Sequence, residues 1–194
     1  MKSNEIILEG KRVKLIPVDK KHVEGLFKAV DSEEVWRLLP TRMKSLEDIK
    51  NIVSEAIQLK ENGTQLPFIV YDKDLDEIVG MTRLLNISKE NRNLEIGWTW
   101  YASKVWRTRV NTECKYLLLT YCFETLNTVR VQFKVDTRNI RSNNAVKRIG
   151  AIKEGVMRKE RILHDGYIRD AAVYSIVDEE WPEIKNHLEE RLID

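Results

Sequence analysis

The chain has 194 residues, 42% hydrophobic and 33% charged, with a formal net charge of +2. That size and apolar share suit one compact domain over residues 1–194 with a core of its own, and the near-balanced charge sets no requirement for a nucleic-acid partner. No run approaches the roughly 18 apolar residues of a membrane span and the N-terminal stretch lacks a long apolar segment, so a cytoplasmic protein with no membrane partner is expected.

In chain order, residues 9–18 alternate Val13, Leu15 and Pro17 with charged neighbours and predict an opening strand. Residues 20–30 then place Val23, Leu26, Phe27 and Val30 at helical spacing. A second helix is expected over 45–59, with Ser45 as N-cap, Asp48 as its capping-box partner and Gly63 closing it. The apolar segment between them is irregular. Residues 65–72, 78–86 and 93–101 read as successive strands separated by Asp- and Asn-rich turns, an antiparallel meander.

Ala102 to Arg109 has no apolar period, and Asn111 or Thr112 can cap the helix that follows, with Glu113 in its first turn. Val110, Cys114, Leu117, Leu118, Tyr121 and Cys122 form one stripe to lay on a sheet. The two cysteines are about 12 Å apart by helical rise, too far to bridge, and read as reduced packing residues. Residues 129–135 predict a strand, 139–149 a short helix ended by Gly150, and 152–162 with 167–177 a pair turning at His164-Asp165-Gly166. The sum is a mixed α/β (α+β) domain whose mainly antiparallel sheet has about seven strands flanked by about four helices.

A loop that feeds a helix N-terminus after a buried strand can bind an anion through first-turn amides, although such amides also take water or a cap. Two motifs bear on the choice. Trp106-Arg107-Thr108-Arg109-Val110-Asn111, followed by Thr112-Glu113, resembles the pyrophosphate loop of the GNAT superfamily of acetyl-CoA-dependent N-acetyltransferases. Asn139-x-x-Ser142-x-x-Ala145, continuing through Lys147-Arg148-Ile149-Gly150-Ala151, resembles the second motif of its RimJ/RimL-like branch, as does the ending Tyr167-x-Arg169-Asp170, Tyr174-Ser175-Ile176 and Glu180-Trp181. Arg107 and Arg109 stand where the branch usually has glycine; they either pair with phosphate oxygens or obstruct a close approach.

The resemblance implies a GNAT-like fold, acetyl-CoA as co-substrate, no metal, and direct acetyl transfer to an amine. The expected acceptor is a protein N-terminal amine, with a small-molecule amine as the alternative; a homodimer is among the expected partners. It places the cofactor against Trp106, Arg107, Thr108, Arg109, Val110 and Asn111, against the backbone amides of Thr99, Trp100 and Tyr101 where the strand splays, and against Asn139, which could equally form a turn. Trp36, Leu38, Leu39 and Met43 become candidate acceptor contacts, with core packing as the alternative for each. Glu95 falls at the general-base position, where burial on an apolar strand would make it a stronger proton acceptor; its other placement is on the solvent face. The tyrosine that many members use to protonate the thiolate is replaced by Val146, so Ser142 is the candidate donor, or else a helix cap. His22, His164 and His187 have no partner pattern and receive no chemistry. A third reading is a regulatory or interaction protein that keeps the fold and has given up the cofactor.

Overall fold

In the computed structural model, residues 6–193 are described; the ends of the expected domain, 1–5 and 194, lie outside them. The strands are β1 (Leu8–Glu9), β2 (Val13–Pro17), β3 (Leu66–Asp72), β4 (Glu77–Ser88), β5 (Asn93–Tyr101), β6 (Arg130–Asp136), β7 (Ile152–Ile162) and β8 (Ile168–Val177). The α-helices are α1 (Val23–Ala29), α2 (Leu46–Glu61), α3 (Val110–Thr120), α4 (Ile140–Arg148) and α5 (Trp181–Ile193). All eight strands join one sheet in the order β1-β2-β3-β4-β5-β6-β8-β7, and only β5 with β6 is parallel.

The expected meander is present, and so is the capping box of α2: Asp48 N donates to Ser45 Oγ at 3.1 Å while Ser45 N donates to Asp48 Oδ2 at 2.9 Å. Three expectations change. The opening strand is two strands, because the chain turns at Gly10 and the carboxylate of Glu113 accepts the amides of Arg12 and Val13 at 3.2 Å. A Cβ on Gly10 would lie 2.1 Å from Glu113 Oε1, so the turn needs glycine. Next, α3 starts before Asn111 and Thr112: Arg109 is its N-cap without a side-chain bond, and Thr108 Oγ1 accepts the Val110 amide at 3.3 Å. Finally, α5 is a further helix, held by Trp181, Ile184 and Leu188 in the core.

The sheet divides the interior into two cores. On one face α3, α4 and α5 cover Val13, Leu15, Phe68, Ile96 and Val131; on the other α1 and α2 cover Ile69, Met81 and Trp100. Truncating the Leu, Ile, Met, Phe or Trp side chains among these to Ala costs about 2–5 kcal/mol each. Cys114 and Cys122 are free and buried under α3, and burial pushes both thiols up from their ordinary value.

Candidate active site

β5 and β6 pair only over Asn93–Glu95 and Arg130–Gln132. Past those residues they part, and since they run parallel, both chains leave at the same end: β5 into the loop before α3, β6 into α4. A wedge opens between them.

Two irregularities frame the root of that wedge. Between Leu85 and Ser88 the register of β4 slips at Asn86, φ 50; between Gly97 and Trp100 the register of β5 slips at Trp98, φ 53. Bulges re-aim side chains and gather next to active sites. Asparagine tolerates left-handed backbone, whereas for tryptophan it costs about 1–2 kcal/mol.

Glu95 lies between the two bulges and is 7% exposed, so it is not on a solvent face. Nor is it alone among apolar groups, as the strand pattern suggested. Asn86 Nδ2 donates to its Oε2 at 3.1 Å, and Lys134 Nζ of β6 stands 3.2 Å from the same oxygen. Oε1 has no hydrogen bond among the described residues and faces Gly97, where an added Cβ would stand 3.2 Å away. A hollow of about 90 Å³, lined by Asn86, Asn93, Glu95, Arg130 and Gln132, adjoins it and has room for water.

Amides alternate sides along an extended strand. Ala102 N donates to Val79 O of β4 at 2.8 Å, so the amide of Tyr101 turns toward the wedge and that of Trp100 toward β4; the Thr99 amide lies within the register slip. The Thr99 hydroxyl lies 2.8 Å from Thr82 Oγ1 and accepts Lys115 Nζ at 2.9 Å. The Tyr101 hydroxyl is buried beside the Cys114 thiol, and burial, then that thiol, pushes it well above its ordinary value.

In the loop, Trp106 Nε1 donates to Tyr101 O at 2.9 Å and Thr108 Oγ1 to Val105 O at 2.7 Å. Arg107 is exposed with φ 63, in the region glycine favours, while Arg109 is right-handed and needs no glycine for its conformation. Arg109 Nη1 lies 3.4 Å from Leu192 O in α5. The amides of Asn111 and Thr112 donate to no group among the described residues, as expected of a helix's first turn. Arg141 of α4 stacks 3.5 Å over the Trp106 ring, so the two chain exits touch across the wedge.

On α4, Asn139 is the cap: its Oδ1 accepts the Ser142 amide at 3.0 Å. Asn139, for which a turn was the alternative to cofactor contact, caps the helix, and Ser142, for which a cap was the alternative to proton donation, does not. The Ser142 hydroxyl is half-buried and makes no hydrogen bond among the described residues. Val146 is core. Of the candidate acceptor contacts, Trp36 and Met43 are buried in the α1–α2 core, Trp36 with its ring 5.2 Å from that of His164, while Leu38 and Leu39 are partly buried.

Asn86, Gly97, Lys134 and Lys115 escaped sequence reasoning. The signal for Lys134 was its place two residues beyond Gln132 on one strand face; using it requires knowing that Gln132 pairs with Glu95.

The family described as "Acetyltransferase (GNAT) domain" matches residues 12–152. The uncharacterized N-acetyltransferase YoaA of Bacillus subtilis is 27% identical over 172 residues, 88% of this chain and 96% of that one. The ribosomal-protein-serine acetyltransferase of Escherichia coli is 24% identical over 167 residues, 84% of this chain and 92% of that one. Among solved structures, a GCN5-related N-acetyltransferase from Brucella melitensis superposes with a TM-score of 0.89 at 27% identity, covering 97% of this chain and 86% of that one.

Proposed function

The chain belongs to the GNAT acetyltransferase family, and on that premise we propose that it transfers acetyl from acetyl-CoA directly to a primary amine, a protein N-terminal amine, with residues 1–194 acting as one domain. The observation that carries this is the wedge itself: parallel strands that part beside a buried carboxylate, with the Tyr101 amide turned into the gap and the β5 bulge at Trp98 and Thr99 beside it. The residues present fit the cofactor. The unpartnered amides of Asn111 and Thr112 at the start of an 11-residue helix, with exposed Arg107 just before them, suit a pyrophosphate, and Trp106, Thr108, Arg109 and Val110 shape that turn. Bound acetyl-CoA supplies the acetyl group as an activated thioester.

The remaining chemistry belongs to side chains and backbone. Glu95 takes the proton of the acceptor amine through Oε1, since Oε2 is held by Asn86 and Lys134, and the adjoining hollow gives that proton a wet path outward. The Tyr101 amide donates to the oxygen where negative charge develops, the usual source of a large part of the rate. Ser142, whose hydroxyl has no competing partner, returns a proton to the departing sulfur. Asn139 supports this by fixing the first turn of α4. Support for a peptide acceptor comes from the similarity to a ribosomal-protein acetyltransferase.

Calorimetric titration with CoA at two salt concentrations, followed by thiol release from acetyl-CoA with a panel of amines, tests this reading. CoA should bind and weaken with salt, as expected of exposed charge contacts, and a peptide with a free N-terminal amine should be the fastest acceptor. No CoA binding at low ionic strength would leave the reading of a protein that keeps the fold without its cofactor, to which the Trp106–Arg141 contact would then belong. Faster release with a polyamine or amino sugar would move the acceptor to the small-molecule class.

A further inference from the structure

Lys115 is 5% exposed, on the face of α3 that lies against the sheet. Its Nζ reaches Thr99 of β5 at 2.9 Å and stands 6.0 Å from the ring centroid of Phe133, the first β6 residue past the paired segment. The ammonium therefore lies beneath the point where the two strands part. The ionisable groups facing it are the Cys114 thiol of its own helix, the Cys122 thiol in the turn that follows it and, through Cys114, the Tyr101 hydroxyl of β5; no carboxylate is within ion-pair distance among the described residues. The Thr99 hydroxyl is its one hydrogen-bond acceptor among the described residues, and Thr82 on β4 holds that hydroxyl from the other side. Burying an ammonium without a counter-charge costs several kcal/mol, far more than one hydrogen bond returns. A leucine or methionine would pack here at no such cost.

We propose that Lys115 is a positioning residue of the transfer site: it pins the Thr99 hydroxyl, so holding the Trp98–Thr99 bulge beside the wedge, and it sets a positive charge under the place where negative charge develops. The proposal rests on the acetyl-transfer reading above. It accounts for a buried cation placed where two neighbouring strands in the interior of the sheet part. Desolvation lowers the Lys115 pKa from its ordinary value, so the ammonium is lost at a lower pH than an exposed lysine would lose it.

The test is Lys115→Met, which keeps the stem and removes the charge, read by kcat for acetyl-CoA with a free N-terminal peptide, by the Kd of CoA, by the pH profile and by the melting temperature. We expect kcat to fall about 10- to 100-fold, the CoA Kd to stay within about twofold, and the melting temperature to hold or rise, because replacing a buried charge by an apolar group tends to stabilise. The parent's turnover should decline at high pH as the ammonium deprotonates, and the variant should lack that limb. A merely structural lysine would give the reverse: a lower melting temperature and an unchanged pH profile. Should Lys115→Met fail to fold, Thr99→Val, which removes the hydroxyl that Lys115 and Thr82 share and leaves the ammonium in place, must lower kcat without weakening CoA. A parent that binds CoA, with variants that match its kcat and pH profile, would overturn this inference alone; a parent that binds no CoA would overturn the acetyl-transfer reading and this inference with it.

Discussion

Arg83 and Lys115 are buried on opposite faces of one irregularity in β5, in different company. Arg83, 1% exposed, points to the α2 side under the Trp98 ring at 4.1 Å, with Gln65 Oε1 at 3.2 Å and Glu55 at 3.6 Å. Its Nε and Nη2 still have no acceptor. Lys115, on the α3 side, has a single hydroxyl and no carboxylate. The same contrast divides the buried acids. Both oxygens of Glu113 are engaged by the amides of Arg12 and Val13, whereas Glu95 keeps Oε1 unengaged. Glu113, with both oxygens engaged, ties the turn before β2 to α3, while Glu95 stands at the root of the wedge with one oxygen left over for a substrate to meet.

The largest expected effect would break this contrast at Glu95. Glu95→Gln should lower turnover about 10²- to 10⁴-fold at neutral pH and recover in part at high pH, where the acceptor amine is already neutral. Its melting temperature should barely move. A variant whose pH–rate profile overlays the parent's would place the base in water rather than in this carboxylate.

Glu113→Ala should do the opposite, with stability falling by about 1–3 kcal/mol as two buried amides lose their acceptor, and turnover per folded molecule unchanged. Urea unfolding reads the first quantity and specific activity the second; a normal melt with impaired turnover would erase the distinction between the two acids.

Arg83→Met sharpens the contrast with a smaller effect of the other sign. Burial pulls the guanidinium down from its ordinary value to about 10, so keeping it charged at neutral pH costs the folded protein stability. Replacement should therefore stabilise, by about 1–2 kcal/mol. Above about pH 10 the unfolded chain binds more protons at this site than the folded one, so the parent's stability rises with pH there and the gap to the variant narrows. Urea midpoints at pH 7 and pH 10.5 check this. A destabilised variant at pH 7 would mean that the Trp98 stack and Gln65 outweigh desolvation.

Much of the fold was legible because it is written locally. Short apolar runs between Asp- and Asn-rich turns marked β3, β4 and β5, and Ser45 with Asp48 announced α2. The split of the opening strand was not, because Glu113 enforces it from 100 residues away. The helix α5 had a readable signal in Trp181, Ile184 and Leu188, three and four residues apart, masked by the resemblance of the same stretch to a family ending. At the site, Glu95 and Ser142 could be named from sequence, but Asn86 and Lys134 converge on Glu95 only once the strands are paired. Lys115 reads locally as a surface lysine beside the apolar stripe. On a helical wheel it lies about 20° from buried Cys122, seven residues on, which was the clue that it turns inward.

The stack of Arg141 on Trp106 has a kinetic consequence. A ligand that fills the space between the exits of β5 and β6 competes with that contact, so its observed affinity is its intrinsic affinity scaled by the fraction of molecules in which the two side chains have separated. A cation–π contact of about 0.5–2 kcal/mol sets that factor at roughly 2- to 30-fold. Association would then slow as the stack strengthens while dissociation is untouched, and removing the indole or the guanidinium would appear in the on-rate rather than in the residence time.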